Sequence, residues 1–189
     1  MKEGEISPLV SYVVIGLNEG DHLDACFASI RGSELDGVAY EIIYADGGSD
    51  DASVEIAQGA GCDQVLVAPK RRSAAENRNA GARAARGQFI QFLDGDMRIF
   101  PEWVKHALGV LTGREEVAAV FGDLREVRTS LLYRILELDW IQGAGEVPFC
   151  GGAAMFRRTA FWEAGGFPED VAFGEEPLLC WRIRNCLGK

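Results

Sequence analysis

Two aspartates separated by one glycine end an apolar run near the middle of the chain. Residues 88–97 read QFIQFLDGDM, so Asp94 and Asp96 follow a stretch that is typical of a buried strand. Two carboxylates this close together on a turn can converge on one divalent cation, because Mg²⁺ and Mn²⁺ prefer oxygen ligands. Asp-Gly is also among the commonest turn pairs, and for this motif alone a plain turn stays open.

Polar side chains also follow the other apolar runs of the N-terminal half, namely Asn18-Glu19, Asp46 and Arg71-Arg72. Carboxylates and arginines gathered at one sheet edge suit a phosphorylated, metal-bound ligand, because arginine pairs bidentately with phosphate. Unrelated solvated turns are the alternative for each motif taken singly. Four motifs in the same topological position favour one shared site.

The elements that must position these residues alternate along the chain. The patterns predict strands over 9–17, 40–46, 63–68 and the run before Asp94, and helices over 20–30, after residue 51, from Ser73 to Gly87 and from Pro101 to Gly113. Such alternation predicts an α/β fold, a three-layer α/β/α sandwich with a mainly parallel central sheet. Ligands of such sheets bind beyond the carboxyl ends of the strands.

The C-terminal half gives weaker patterns. Residues 117–127 are predicted strand material, residues 129–141 have a helical period, and residues 143–156 are glycine-rich and then apolar.

Composition narrows the class of protein. The chain has 189 residues, of which 48% are hydrophobic and 25% charged, and this fits one globular domain. Its net charge of -10 argues against a nucleic-acid surface and favours small molecules or cations as partners. Five cysteines without CxxC spacing favour reduced thiols. Neither a signal peptide nor an apolar run of about 18 residues is evident, so we predict a cytoplasmic protein without a membrane span.

The order of the motifs resembles that of the family 2 glycosyltransferases, whose fold is of the GT-A type. The matching segments are SYVVIGLNE (11–19), YADGGSDDAS (44–53), ENRNAGARAARGQFIQFLDGD (76–96), CGGAAMFRRTAFWEAGGFPED (150–170) and GEEPLLCWRIR (174–184). The resemblance implies one glycosyltransferase domain over 1–189. Its nucleotide-binding half would cover about 8–100, and its acceptor and catalytic half about 101–189.

The resemblance implies roles on the donor side. Asp94 and Asp96 would hold Mn²⁺ or Mg²⁺ against the diphosphate of a nucleotide-sugar, with a UDP-sugar favoured as the commonest donor class, and Gly95 would permit close backbone approach. Asp46 would contact the base or ribose, although an Asp-Gly turn is the alternative. The remaining donor-side candidates are Gly16, Leu17, Asn18 and Glu19 around the base, and Arg71, Arg72 or Arg78 for the diphosphate.

The catalytic side is implied in the same way. The family has a Glu-Asp pair where this chain has Glu175-Glu176, so Glu176 would be the general base of an inverting transfer, with Glu175 as the fallback. A plain helix N-terminus is the alternative. Gly151 and Gly152 would approach the sugar or a carbohydrate or lipid-linked acceptor. Trp140 or Trp162 could stack on a sugar ring, with core packing as the alternative.

Members of the family usually continue beyond this point with a strand and a segment that often supplies a histidine metal ligand and a lid. We therefore predict that the domain is truncated at its C-terminus. A non-catalytic nucleotide-sugar-binding protein of the same fold is the first alternative. A DXD-type phosphatase of the haloacid-dehalogenase class and a nucleotidyltransferase rank lower, because the motifs they need are missing.

Overall fold

The computed structural model describes residues 8–35, 37–125, 141, 143–171 and 173–188. Its central sheet has six strands in the order β3-β2-β1-β4-β6-β5. The strands are β1 (Val10–Gly16), β2 (Tyr40–Asp46), β3 (Gln64–Val67), β4 (Phe89–Asp94), β5 (Ala119–Val120) and β6 (Met155–Arg157). The first four run parallel, whereas β6 is antiparallel to both neighbours, so the predicted mainly parallel sheet is confirmed.

Helices cover both faces of this sheet. They are α1 (Gly20–Arg31), α2 (Ser53–Gly59), α3 (Ala74–Ala84), α4 (Trp103–Gly113), α5 (Arg158–Glu163) and α6 (Glu175–Leu187). Alternate side chains of β1 point to opposite faces. Tyr12 and Val14 pack with buried residues of α1, α2 and α4, whereas Val13 and Ile15 pack with those of α3, α5 and α6. The predicted three layers are therefore confirmed.

The register of β1 aligns the ends of three strands. Gly16 pairs with Asp46 of β2, and Ile15 pairs with Asp94 of β4. Because these strands are parallel, their carboxyl ends meet at one edge of the sheet. The side chains that follow them can therefore share one site.

The alanine-rich helix α3 begins where the sequence predicts. The Ser73 hydroxyl accepts from the Glu76 amide at 3.2 Å, and the Glu76 carboxylate accepts from the Ser73 amide at 2.8 Å, which is a capping box. The prediction that Gly87 ends this helix is wrong, since it ends at Ala84. Gly87 instead lies against β1, where an added Cβ would be 2.7 Å from the Ser11 nitrogen.

Three further segments differ from their sequence patterns or fall outside the description. Helix α4 begins at Trp103 rather than at Pro101, whose carbonyl accepts from the Glu34 amide at 2.9 Å. In the described part of the predicted strand material, residues 117–125, the only strand is the two-residue β5. Residues 129–140 of the helix predicted over 129–141 lie outside the described residues. None of the described helices combines the length and apolar character that a membrane span requires.

Candidate functional site

A cleft of about 280 Å³ opens at the carboxyl ends of β1 and β4. Its lining includes most of the residues predicted for the donor side, together with one asparagine that was not predicted. These residues are Ile15, Gly16, Leu17, Glu19, Arg72, Ala74, Asn77, Arg78, Asp94 and Asp96. The shared strand edge therefore brings together groups that the sequence places in three separate motifs.

Arg78 of α3 forms the centre of this site. Its guanidinium contacts Asp94 at 2.8 Å through Nη2, and Glu175 at 3.2 Å and Glu176 at 3.5 Å through Nη1. The side chain is 5% exposed, so it does not face solvent. One buried cation thus links the aspartate predicted on the donor side to both acids predicted on the catalytic side.

The surroundings of Arg78 hold it in this position. The Phe167 ring lies 5.5 Å from its guanidinium carbon, and the Arg78 Nε is buried with no partner among the described residues. Around the cleft, the two cations of Arg72 and Arg78 are outnumbered by five carboxylates, so it is electronegative overall. The carboxylates belong to Glu19, Asp94, Asp96, Glu175 and Glu176. Such a charge balance favours the entry of a divalent cation.

The Asp94-Gly95-Asp96 turn presents its two carboxylates differently. The Asp94 side chain is 31% exposed and one of its oxygens is paired with Arg78, whereas Asp96 is exposed and makes no hydrogen bond or ion pair within the described part of the chain. Gly95 is tightly packed, because an added Cβ would lie 3.0 Å from Glu19 Cβ and from Leu23 Cδ2. A larger residue at this position would force the Glu19 or Leu23 side chain to shift by a few tenths of an ångström.

The two aspartates fit a divalent cation only with help from other ligands. Within the described residues, no group of three or more His, Cys, Asp or Glu side chains is arranged to hold a metal ion. Oxygens of Asp94 and Asp96 that Arg78 does not occupy remain available. Mg²⁺ is commonly held by one or two carboxylates plus water and phosphate oxygens, and this donor set fits that pattern.

The loop after β1 contributes less to the cleft than predicted. Glu19 lines it, and burial together with the nearby Asp96 carboxylate raises the Glu19 pKa. Asn18 is exposed and lies outside the cleft lining, with a left-handed φ of 61°. Its side-chain oxygen accepts from the Asp50 backbone amide at 2.9 Å, and its own backbone amide donates to the Ser49 hydroxyl at 2.9 Å. Asn18 therefore joins the loop after β1 to the loop after β2.

Asp46 is fully buried, and its carboxylate is occupied by its own turn. One oxygen accepts from the Gly48 amide at 2.7 Å and from the Ser49 amide at 2.8 Å, and the other accepts from the Tyr44 hydroxyl at 3.4 Å. This is the turn geometry given above as the alternative. The donor-binding role of Asp46 stays a prediction.

The structure separates the two arginines after β3. Arg72 lines the cleft, and its amide donates to the Gly47 carbonyl at 3.1 Å. Arg71 is exposed and is not part of the lining. Of the two, Arg72 is therefore the one that can reach a ligand in the cleft.

Glu175 and Glu176 form the first turn of α6, after Gly174 with a left-handed φ of 82°. The Glu176 side chain is only 20% exposed. This burial raises the pKa of Glu176, and its own backbone amide and Arg78 offset only part of the increase. A carboxylate that holds a proton more strongly than usual is suited to general base chemistry.

The glycine loop before β6 lies beside this acid pair. An added Cβ on Gly152 would collide with the Arg78 guanidinium and come within 3.4 Å of Glu176 Oε1. Gly151 is buried next to it. Trp140 lies outside the described residues. Trp162 contacts Phe161 and Arg83 and is not in the cleft lining.

Two asparagines that flank Arg78 were not predicted. Asn79 exchanges hydrogen bonds with the Phe167 backbone at 2.8 and 3.0 Å and so fixes the loop that carries the Phe167 ring. Asn77 lines the cleft, and its buried side-chain oxygen has no partner among the described residues. The available signal was an Asn-Arg-Asn run inside a helix rich in alanine, where asparagine is a poor helix former.

Comparisons with known proteins agree with this geometry. A sequence profile described as glycosyl transferase family 2 matches residues 11–165. Pre-mycofactocin glycosyltransferase of Mycobacterium tuberculosis is 28% identical over 191 aligned positions, which cover 92% of this chain and 38% of that protein. Glycosyltransferase AglE of Haloferax volcanii is 26% identical over 110 positions, covering 56% and 36%. This chain thus spans well under half the length of these relatives.

Solved structures share the fold. S. aureus TarS 1-349 in complex with UDP-GlcNAc has a TM-score of 0.73 at 16% identity, covering 92% of this chain and 52% of that one. The mannosyltransferase PcManGT from Pyrobaculum calidifontis, in complex with GDP-Man and Mn²⁺, has a TM-score of 0.71 at 22% identity, covering 92% and 50%. The fold is therefore of the GT-A type, as predicted. Because the family profile matches most of its length, this chain belongs to glycosyl transferase family 2.

Proposed function

We propose that this chain carries the donor-binding and catalytic residues of a metal-dependent, inverting glycosyltransferase. The observation that supports the proposal most directly is the position of Arg78, whose guanidinium contacts Asp94 and Glu176 together. A sugar joined to a diphosphate held near Asp94 would have its reacting carbon close to Glu176. Family membership removes the DXD-type phosphatase from the alternatives.

The cleft suits a nucleoside diphosphate on one side of this arrangement. Gly16 and Leu17 leave an uncharged wall for a base, and Arg72 supplies a cation for the diphosphate. TarS and PcManGT were solved with UDP-GlcNAc and GDP-Man, which supports a nucleotide-sugar as the donor class. We propose a UDP-sugar and an acceptor hydroxyl on a carbohydrate or a lipid-linked saccharide.

Asp94 and Asp96 would hold the divalent cation. A bound Mn²⁺ or Mg²⁺ supplies charge neutralisation for the leaving nucleoside diphosphate. Arg78 keeps Asp94 oriented towards the cleft, and the buried strand β4 fixes the start of the turn. Asp96, which is free of other contacts in the described residues, is the carboxylate that can adjust to the ion.

Glu176 would act as the general base. It takes the proton from the acceptor hydroxyl as that oxygen attacks the anomeric carbon on the face opposite the diphosphate. Its raised pKa gives the carboxylate more proton affinity than an exposed glutamate has. The absence of a side chain at Gly152 leaves the acid accessible beside Arg78. Glu175, which is 3.2 Å from Arg78, is the fallback.

A non-catalytic nucleotide-sugar-binding role is the second candidate. One observation favours it, namely that Arg78 pairs with both Glu175 and Glu176. If these ion pairs persist when donor is bound, neither acid is free to accept a proton. Donor binding would then occur without transfer.

Calorimetric titration with a panel of nucleoside diphosphates, in Mn²⁺ and in chelator, tests the donor side. We expect one nucleotide to bind in Mn²⁺ only, with affinity reduced at least about tenfold in Asp96→Ala. Asp50→Ala, which removes an exposed aspartate from the loop after β2, is the matched control and should bind as the wild type does. Metal-independent binding, or no binding of any nucleotide, would contradict the proposal.

Glu176→Gln tests the catalytic side, with the same titration to measure nucleotide binding and a separate assay of sugar transfer to measure turnover. The amide keeps the shape of the side chain but accepts no proton at neutral pH. We expect nucleotide binding within about twofold of wild type and transfer reduced by roughly 10² to 10⁴. Transfer at the wild-type rate would disprove the base assignment. Binding of nucleotide by the wild type without transfer to any acceptor would favour the second candidate.

A further inference from the structure

Two cysteines that the proposed reaction does not use lie in contact with each other. The Cys150 and Cys180 sulfurs are 3.2 Å apart, and the Cys150 amide donates to the Cys180 sulfur at 3.3 Å. Cys150 is buried and Cys180 is half-buried, so Cys180 is the residue of the pair that is partly exposed to solvent. Both are free thiols.

The pair bridges two elements of the candidate site that are 30 residues apart in sequence. Cys150 immediately precedes the Gly151-Gly152 loop, which lies against Arg78 and Glu176. Cys180 lies four positions after Glu176, about one turn further along α6. A covalent bond between the sulfurs would therefore join the glycine loop to the helix that carries the base.

The chemistry of the two thiols is unequal. The contact with the Cys150 sulfur, followed by the hydrogen bond from the Cys150 amide and by the nearby Arg184 charge, lowers the pKa of Cys180 despite its burial. The same thiol contact and burial raise the pKa of Cys150. Cys180 is therefore the nucleophile of the pair, because the thiolate is the reactive form.

Other cysteines of the chain provide a contrast. Burial raises the pKa of Cys26 to about 12 and that of Cys62 to about 11. Neither lies in a described sulfur–sulfur contact like that of Cys150 and Cys180. Among the cysteines that are buried or half-buried, reactivity towards an oxidant is thus expected to concentrate at the pair, and the exposed Cys186 is the competing thiol.

We propose that Cys150 and Cys180 form a reversible disulfide that fixes the 150–152 loop to α6 and stops sugar transfer. The site of the bond follows from the sulfur contact alone, whereas its effect on transfer rests on the proposed function.

A low-molecular-weight disulfide such as glutathione disulfide supplies the oxidising equivalent. The Cys180 thiolate attacks one glutathione sulfur, releases a glutathione thiolate and forms a mixed disulfide. The Cys150 thiol passes its proton to the released thiolate, then attacks the Cys180 sulfur and displaces the second glutathione. Two protein thiols are oxidised to one disulfide, and one glutathione disulfide is reduced to two thiols.

The mixed disulfide also prepares Cys150 for the second step. In the reduced protein, the contact with the Cys180 sulfur is the largest cause of the raised Cys150 pKa. A Cys180 sulfur that is already in a disulfide carries no negative charge that would favour a protonated Cys150. Cys150 then deprotonates more easily and can complete the bond.

Closing the bond requires a small displacement. The sulfurs must approach by about 1.2 Å to reach the usual S–S length of about 2.05 Å. The 150–152 loop lies against Arg78 and Glu176 at Gly152, so a displacement of the loop or of α6 would change its position relative to both side chains. A misplacement of about 1 Å at a reacting group can reduce a rate on the order of 100-fold.

Disulfide mapping of the full chain tests the site directly. The protein is incubated with glutathione disulfide, remaining thiols are blocked with N-ethylmaleimide, and tryptic peptides are identified by mass spectrometry. Cleavage after Arg157, Arg182 and Arg184 places Cys150, Cys180 and the exposed Cys186 on three separate peptides. We expect a linked pair of the Cys150 and Cys180 peptides that dithiothreitol separates.

Variants sharpen this result. Cys150→Ser should leave glutathione attached at Cys180, whereas Cys180→Ser should leave Cys150 unmodified. Cys186→Ser is the matched control and should still give the linked pair. Glutathione on Cys186 without any linked pair in the wild type would overturn the proposal.

A transfer assay on the same samples tests the effect. We expect transfer to fall about 100-fold in the linked wild type and to recover in dithiothreitol, with Cys150→Ser/Cys180→Ser unaffected by glutathione disulfide. Full activity of the linked protein would overturn the effect on transfer. If the reduced protein transfers no sugar, the proposed function fails, and the peptide mapping still decides the disulfide.

Discussion

Two Asp-Gly turns flank the central strand in nearly the same register, and they use their aspartates in opposite ways. Asp46 ends β2 beside Gly16, and Asp94 ends β4 beside Ile15. Asp46 is fully buried and accepts hydrogen bonds from its own turn, whereas Asp94 is partly exposed and pairs with Arg78. The same dipeptide after the same kind of strand thus builds a loop in one place and presents a charge in the other.

The backbone after each aspartate explains the difference. After Asp46, Gly48 has a left-handed φ of 90°, and its amide and that of Ser49 turn back to the carboxylate. The first glycine behaves alike in both turns, since the Gly47 amide donates to the Gly16 carbonyl and the Gly95 amide to the Ile15 carbonyl, each at 2.8 Å. After Asp94, however, the Met97 amide donates to the main-chain carbonyl of Asp94 at 3.0 Å. Among the described contacts, no backbone amide of this turn donates to the Asp94 carboxylate. Its partner is instead Arg78 of α3.

Removal of Arg78 tests whether Asp94 depends on a partner that Asp46 does not need. In Arg78→Met, Asp94, Glu175 and Glu176 lose their shared cation in a partly buried site. We expect the free energy of unfolding, measured by urea denaturation, to fall by about 3–5 kcal/mol.

Arg83→Met is the matched control for that change. Arg83 is on the same helix and pairs with Glu169, but the two side chains are 60% and 40% exposed. The loss should stay below about 1 kcal/mol. Equal losses in the two variants would show that burial of the Arg78 ion pairs adds nothing to the free energy of unfolding.

Asp46→Ala separates the two roles available to the buried aspartate. The variant leaves the Gly48 and Ser49 amides without their acceptor, so we expect a loss of about 2 kcal/mol in the free energy of unfolding. Asp46→Asn keeps one acceptor oxygen and should lose less. If stability is unchanged but nucleotide affinity falls, Asp46 contacts the donor, as the family resemblance implies, and the turn is incidental.

Much of the fold was predictable because its patterns are local. A nearly continuous apolar run of seven residues predicts β1, and the Ser73–Glu76 spacing indicates the start of α3. The end of α3 was not predictable from Gly87, because that glycine is required by close packing on β1, and only the folded sheet shows this.

Some features of the candidate site also follow from local sequence patterns, whereas others depend on contacts between distant segments. The positions of Asp94 and Asp96 follow from a strand pattern and an edge rule. The contacts of Arg78 do not, since Glu175 and Glu176 come from a helix about a hundred residues away in sequence. The Cys150–Cys180 contact is also non-local, and no spacing in the sequence indicates it.

The smallest effect concerns Glu176, whose burial is offset only in part by its own backbone amide and by Arg78. Its folded-state pKa is raised, so stability is fully present below the ordinary value of 4.5 and is lost as pH rises through the folded-state pKa. The Glu176→Gln variant lacks the negative charge that the Glu176 carboxylate carries at neutral pH. The free energy of unfolding of this variant should match that of the wild type near pH 4 and exceed it by about 0.5–1 kcal/mol at pH 7.5. Urea denaturation at both pH values measures this, with the exposed Glu163→Gln as control. A difference that does not change with pH would mean that Arg78 fully offsets the cost of burying the Glu176 carboxylate.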